Sequence, residues 1–353
     1  MRSLKVALTA NKVTLLRIIL LPVPVAMLIY GDERWWWAAF VIFVFLGMTD
    51  FIDGWMARRE GPTKLGSLLD PVADKIYIAA IFMTWTAWGV FPPLVISIIL
   101  SRELFLTALR SSVAIRKGFV KTSILGKLKT VIQMGGSGTI FFTLLLSADH
   151  LFILCNILAI PFIALALMRL INKKSQVYWQ LPVGIAFLSV AVLSKFVDAE
   201  FNLRFQIIVI ILITWGSAAG YIIESLKLFK NSGILPGDWA RLLWALTHGV
   251  FVVPLVAYYP AAVLPLLISI SLEFGVGGID NIVVSEKGIF AIWPFAVSLA
   301  SGLIYSFIVN ALIIAKSDIL NPFFVSIALV AISSTICGAF FGRHSDLFKK
   351  VFS

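Results

Sequence analysis

The sequence predicts an all-α, polytopic membrane protein, and three observations carry that prediction. Of its 353 residues, 60% are apolar and only 13% are charged. Its mean hydropathy of +0.99 lies far outside the range of a water-soluble domain. Apolar runs of roughly twenty residues recur along the whole chain, each long enough to cross about 30 Å of hydrocarbon as a helix. None shows the two-residue alternation of a barrel strand.

Taken in order, spans are expected at about 14–30, 35–52, 74–91, 93–113, 124–146, 151–170, 178–196, 205–226, 242–258, 261–273, 290–313 and 320–341. The first run follows a basic start, Arg2 and Lys5, but lacks a small-residue cleavage site and is read as a retained helix. The opening segment "MRSLKVALTANK" suits either a helix lying on an anionic leaflet or a frayed terminus. The tenth run is short enough to be re-entrant. Cys155 and Cys337 sit inside apolar runs, which argues for packing rather than a disulfide or a thiolate metal site.

The net charge of +11 is spread over short loops, so it indicates topology rather than a nucleic-acid surface, and no nucleic-acid partner is expected. With both termini cytoplasmic, that side collects Arg110, Arg116, Lys117, Lys121, Lys127, Lys129, Arg343, Lys349 and Lys350. The opposite loops, "YGDER", "GVFPP" and "SADH", are nearly free of basic residues. "KNSGILPGDW" interrupts helix with Gly233, Pro236 and Gly237, and divides the chain into 1–230 and an extension over 231–353. In the extension, "FGVGGIDN" reads as a flexible cytoplasmic loop, and His248, Glu273, Asp280, Glu286 and His344 make no spacing with a mechanism. Packing or partner binding is the role expected of it.

The chemistry concentrates in "MTDFIDGWMARREGPTKLGSLLDPVADK". Asp50 and Asp53 are three residues apart at the end of one span, and Asp70 and Asp74 are four apart at the start of the next, so each pair shares a helical face. Four carboxylates brought together by two joined helix ends repel one another unless cations neutralise them. Hard oxygen donors without histidine or cysteine favour two ions of magnesium or manganese, a pair suited to clamping a phosphoryl group. One carboxylate then remains available as a base. Gly54, Ala57 and Gly66 leave room for a nucleotide or diphosphate, and Arg58 adds positive charge for its phosphates, whereas Arg59 and Lys64 face water or headgroups. An acidic residue at a membrane border often marks only a helix end. The eight fixed positions together, however, arise by chance roughly once in 10^10 placements.

That spaced set, Asp50-x2-Asp53-Gly54-x2-Ala57-Arg58-x7-Gly66-x3-Asp70-x3-Asp74, resembles the complete signature of the CDP-alcohol phosphatidyltransferase family. The resemblance implies a membrane enzyme with six core helices, usually a homodimer, in which an alcohol hydroxyl attacks the β-phosphorus of a CDP-linked lipid and CMP leaves. It implies metal ligation by Asp50, Asp53, Asp70 and Asp74, with Asp74 also the general base. Gly54, Ala57 and Gly66 then line the cytidine diphosphate pocket, with Arg58 close to the phosphates.

Other stretches resemble the branch of the family that makes phosphatidylglycerophosphate. "NKVTLLRIILLPV" resembles its first helix with Asn11, Thr14 and Arg17 in the polar positions, although Ala10 stands where a proline is often found, and the resemblance adds Asn11 and Thr14 to the residues expected to bind the CDP-linked donor. "SRELFLTALR" and "ILGKLKTVIQM" resemble its fourth and fifth helices and supply Arg102, Glu103, Arg110, Lys127 and Lys129. Arg102 and Glu103 lie within an apolar run, which favours a site or a buried support pair. Lys127 and Lys129 border a span and serve either an acceptor pocket or topology. The sixth core helix is placed at "FQIIVIILITWGSAAGYIIES", whose Gly216-x3-Gly220 spacing suits close helix packing, leaving 147–204 as an inserted helical pair.

The resulting expectation is an integral membrane transferase with its site on the cytoplasmic side. It would use CDP-diacylglycerol and glycerol 3-phosphate and release CMP, with Arg102, Arg110, Lys127 and Lys129 binding the acceptor. The rivals are the same chemistry with another acceptor, such as phosphatidylglycerol, inositol phosphate or another polyol, and a cation-coupled transporter. Carboxylates at a membrane border and the lack of an internal repeat count against the transporter.

Overall fold

Every regular element among the described residues of the computed structural model is helical. Those residues are 9–61, 63–118, 124–171, 180–315 and 321–347, with the side chains of Phe51, Glu60, Lys64, 124–128 and Leu170 outside the description. Residues 1–8 of the basic opening segment, Lys121, the Lys127 side chain, Lys349 and Lys350 therefore lie outside the described residues.

The first span is two helices, α1 (Ala10–Leu20) and α2 (Pro22–Tyr30), because Pro22 and Pro24 withhold the amide hydrogens that would continue the ladder. Helix α3 (Glu33–Glu60) is capped by the Asp32 carboxylate, which accepts from Arg34 N at 3.1 Å. It stops at Gly61, whose φ of +89° no other residue adopts without strain. Helix α4 (Lys64–Ala87) starts where Thr63 Oγ1 accepts from Gly66 N at 2.9 Å. It begins well before the expected residue 74, so Asp70 and Asp74 lie inside the helix rather than at its first residue. Helix α5 (Pro93–Ile115) has proline at its first position, where no amide partner is needed.

Next come α6 (Ile124–Leu145), α7 (Ala148–Ile171), α8 (Gln180–Phe196) and α9 (Ala199–Ser232). Helix α10 (Pro236–Leu246) then runs into a π-turn at Thr247–Val252 and a 3₁₀ turn at Val253–Ala257, where Pro254 breaks the regular ladder. Helices α11 (Val263–Lys287), α12 (Trp293–Ala315) and α13 (Pro322–Arg343) complete the chain.

Among the described residues, eight helical stretches are long and apolar enough to cross a membrane. Helices α4 and α5 miss that composition because of the ionisable groups they carry, and α8 because it has only 17 residues. The protein is an integral membrane protein. Two expectations are overturned by α11. The stretch "FGVGGIDN" is not a loop, and the tenth run is not re-entrant, because one 25-residue helix passes through both. Glycine in such a helix permits close packing, and water-based helix propensity misreads it.

Contacts divide the chain into two units, 1–119 with 225–353, and 120–224. In the first, α4 packs against α1, α2, α5 and α11, while α10 and the π-turn lie on α5, and α13 lies on α11. The extension thus belongs to the same unit as the aspartate helices. Two of its acidic residues, Glu273 and Asp280, for which no spacing with a mechanism was expected, sit in buried polar networks. Glu273 accepts from Trp244 Nε1 (2.8 Å), Ser298 Oγ (2.6 Å) and Ser333 Oγ (2.8 Å). Arg241 and Asp280, both buried, pair through Nε–Oδ2 at 2.7 Å and Nη2–Oδ1 at 2.5 Å.

In the second unit, α7 and α8 pack around Leu151, Cys155, Val190 and Ala191. Hydrogen bonds join α6 to α9, with Gln133 Nε2 donating to Thr214 Oγ1 at 3.0 Å and Thr139 Oγ1 to Gln206 Oε1 at 2.8 Å. An apolar cavity of about 260 Å³ lies among α6, α8 and α9 and is lined by no titratable group. Among the described residues, Gly216 and Gly220 do not make the close packing expected of them: a Cβ on either would meet nothing within 4 Å.

Candidate active site

Three helices build the polar centre of the first unit: α1, the C-terminal half of α3 and the N-terminal half of α4. The three-residue turn between α3 and α4 brings the two aspartate pairs together, as the sequence expected. What they gather around is Arg17. This side chain is 1% exposed, and its Nη1 donates to Asp50 Oδ1 at 3.0 Å. Its Nη2 is 3.5 Å from Asp53 Oδ2, and its Nη1 is 3.6 Å from Asp74 Oδ1. The fourth carboxylate joins through Thr14, whose buried hydroxyl lies 2.9 Å from Asp53 Oδ2 and 3.4 Å from Asp70 Oδ1. Asp53 is buried, whereas the side chains of Asp50 and Asp74 are 38% and 40% exposed, so the cluster opens on one side.

The sequence placed Arg17 in a matching polar position but gave it no part in the site. Its signal was available: an arginine inside an apolar run is costly and must find a partner. Asn11 exchanges hydrogen bonds with Thr63 Oγ1 at 3.1 and 3.2 Å, which ties α1 to the cap of α4. Gly66 is where this junction is tightest, since a Cβ there would come 3.0 Å from both Asn11 Oδ1 and Thr63 Oγ1. Gly54 and Ala57 are only partly covered, and a Cβ on Gly54 would meet only Arg58 Nη1, at 3.8 Å. Arg58 is exposed beside that open helix face, and the exposed Arg59 stacks on Trp55 with 3.7 Å to the ring centroid.

The expected acceptor residues are distributed differently. Arg102 and Glu103 form a buried ion pair, Nη1 to Oε1 at 3.0 Å, which is the support-pair reading. Arg110 is exposed near the end of α5. Lys129 is half-buried on α6 in the second unit, and Lys127 shares that helix. Lys75, next to Asp74 in sequence, donates from Nζ to Thr107 Oγ1 of α5 at 2.5 Å.

Divalent cations fit this donor chemistry, since four hard carboxylates converge where a positive charge already stands. Among the described residues, no three histidine, cysteine or acidic side chains group tightly enough to hold an ion by themselves. The guanidinium of Arg17 stands between them instead.

Residues 7–165 match the family described as CDP-alcohol phosphatidyltransferase. The matched stretch runs into α7 and so includes residues that the sequence reading had set in an inserted pair. The chain is 40% identical over 133 residues to a probable phosphatidylglycerophosphate synthase of Mycobacterium tuberculosis, covering 36% of this chain and 63% of that protein. It is 37% identical over 129 residues to a CDP-diacylglycerol–glycerol-3-phosphate 3-phosphatidyltransferase of Escherichia coli, covering 34% and 69%. For the protein of the same name from Bacillus subtilis, the identity is 32% over 137 residues, covering 35% and 71%. The chain thus spans just under two thirds of the first relative's length. No solved structure matches. With the complete aspartate set assembled on two joined helices, and with relatives matched over more than two thirds of their length, the chain belongs to the CDP-alcohol phosphatidyltransferase family.

Proposed function

We propose that this protein transfers a phosphatidyl group from CDP-diacylglycerol to glycerol 3-phosphate, giving phosphatidylglycerophosphate and CMP at the cytoplasmic face of the membrane. The observation that carries the proposal is the convergence of Asp50, Asp53 and Asp74 on one buried cation, with Asp70 linked through Thr14. The names of the Bacillus subtilis and Escherichia coli relatives point to the same donor and acceptor.

Magnesium or manganese held by Asp50, Asp53, Asp70 and Asp74 would polarise the diphosphate and stabilise the leaving phosphate oxygen. The uncovered face at Gly54 and Ala57 receives the cytidine diphosphate, and Arg58 pairs with its phosphates. Asp74, open on one side, takes the proton as the acceptor hydroxyl forms its bond to the β-phosphorus. The bond from that phosphorus to the CMP oxygen breaks, and CMP carries away the electron pair. A carboxylate placed this way contributes about 10²–10⁴ in rate. Arg110 is the cation we assign to the phosphate of the acceptor, with Arg102 supporting α5 through Glu103.

Purified protein with magnesium is expected to release CMP from CDP-diacylglycerol when glycerol 3-phosphate is added, and not with serine, inositol phosphate or phosphatidylglycerol. Release with none of these alcohols overturns the transferase reading, and release with a different one reassigns the acceptor. Asp74→Asn is expected to lose turnover while still binding CDP-diacylglycerol.

A further inference from the structure

The extension touches the aspartate helix directly. Helix α11 runs along both α4 and α5, and it approaches them through its smallest residues. A Cβ on Gly278 would come 2.5 Å from Leu68 Cδ1 and 3.0 Å from Val72 Cγ2, while one on Gly277 would come 2.6 Å from Thr107 Cγ2. Leu68 and Val72 bracket Asp70, two residues to either side. Further along α4, Lys75 follows Asp74, bonds Thr107, and lies 5.7 Å from the Phe274 ring centroid. The contact therefore falls within two residues of both aspartates.

Helix α11 is itself fixed against sliding. Asn281 Oδ1 accepts from Ser111 Oγ of α5 at 2.8 Å, and Asp280 pairs with Arg241 of α10. At the start of α10, Asp238 takes two hydrogen bonds from Arg116, at 2.6 and 3.2 Å. Glycine contacts set how closely two helices approach, and these polar links set their register. A misplacement of about 1 Å at a reacting centre can cost about 10²-fold in rate.

We infer that α11 is a positioning element for the site: through Gly277, Gly278 and Phe274 it fixes the depth and rotation of α4, and so where Asp70 and Asp74 stand opposite Asp50 and Asp53. This rests on the reading that the four aspartates bind divalent cations, and the test separates the two. In full-length protein with Cys155 and Cys337 replaced by alanine, spin labels at Arg59→Cys and Ser67→Cys report the separation of α3 and α4. Mn²⁺ titration without lipid reports the site.

Gly278→Leu is expected to change the label separation and weaken Mn²⁺ binding about tenfold. Gly278→Ala, whose Cβ meets the movable end of Leu68 and the stiff Cγ2 methyl of Val72, shows the same change in smaller measure. Adding Leu68→Ala to Gly278→Leu recovers most of both readings. Ser333→Ala, which loosens the extension at Glu273 without touching α4, lowers thermal stability and leaves both readings at wild type. Unchanged label separation in both Gly278 variants, or an equal change in Ser333→Ala, overturns the inference. Wild-type protein that binds no Mn²⁺ overturns the functional reading instead, and the label separations still decide the role of α11.

Discussion

Arg17 of α1 donates to Asp50 of α3 at 3.0 Å from a position that is 1% exposed, and the same guanidinium lies within 3.6 Å of Asp53 and Asp74. One buried cation thus offsets part of the charge of a four-carboxylate cluster. Its Nε is buried without a hydrogen-bond partner, so the side chain is held by charge more than by a full set of directed bonds. A group held that way can yield to a stronger cation.

Replacing Arg17 by methionine keeps the bulk and removes the charge. Removing one partner of a buried ion pair typically costs about 3–5 kcal/mol, so metal-free Arg17→Met is expected to melt well below wild type in detergent. Saturating magnesium then stabilises the variant more than it stabilises wild type, because the ion no longer meets a resident cation. Melting curves with and without magnesium check this. Equal increments in the two proteins would show that Arg17 and the metal do not share the cluster.

Thr14 is the link between the two aspartate pairs, and it is fully buried. Thr14→Val preserves shape and deletes the hydroxyl, leaving Asp53 short of a donor at a cost of about 1–3 kcal/mol. Thr14→Ser keeps the hydroxyl and is expected to stay close to wild type in both melting temperature and Mn²⁺ affinity. Equal behaviour of the valine and serine variants would remove this residue from the cluster.

The spacing of the aspartates was enough to place each pair on one helical face, and the turn residues between the pairs were enough to bring the faces together. Arg17 shows where that reasoning stopped. Periodicity tells which residues share a face, but not which helix lies opposite, so the partner of a buried arginine needs three-dimensional packing. Gly277 and Gly278 misled for a related reason: in water they weaken a helix, whereas between membrane helices they let backbones approach. Glu273, Asp280 and His248 belong to no short motif, because the groups that satisfy Glu273 and Asp280 lie 25 to 60 residues away in sequence.

Two glycines near the site separate space from backbone. At Gly61 a Cβ would meet nothing within 4 Å, but φ is +89°, so Gly61→Ala is expected to cost about 1–3 kcal/mol through strain in the α3–α4 turn. At Gly54 the backbone is helical and the space is open, so alanine should hold or raise stability by about 0.5–1 kcal/mol. If that open face receives the cytidine diphosphate, Gly54→Ala nevertheless raises the KM for CDP-diacylglycerol. A stable Gly54→Ala enzyme with unchanged KM would place the nucleotide elsewhere.

Glu273 ties four segments of the extension together, and its variants show whether its charge or its hydrogen bonding is needed. Trp244 and Ser298 both donate to Oε2, and Ser333 donates to Oε1 while lying 3.0 Å from Ser269 Oγ. In Glu273→Gln the amide oxygen can keep Trp244 and Ser298. The Ser333 hydroxyl can turn, accept from the new NH₂ and donate to Ser269. That rearrangement is expected to cost about 1 kcal/mol. Glu273→Leu removes the acceptor shared by three buried donors; Ser298 and Ser333 can turn to His248 Nε2 and Ser269, but Trp244 Nε1 is stranded at about 1–3 kcal/mol, so the extension should loosen and the 231–236 junction become sensitive to protease. Melting and limited proteolysis of the two variants side by side decide the matter. A glutamine variant as damaged as the leucine variant would mean that the negative charge itself is required, with His248 Nε2, 3.8 Å from Oε1, as the group that answers it.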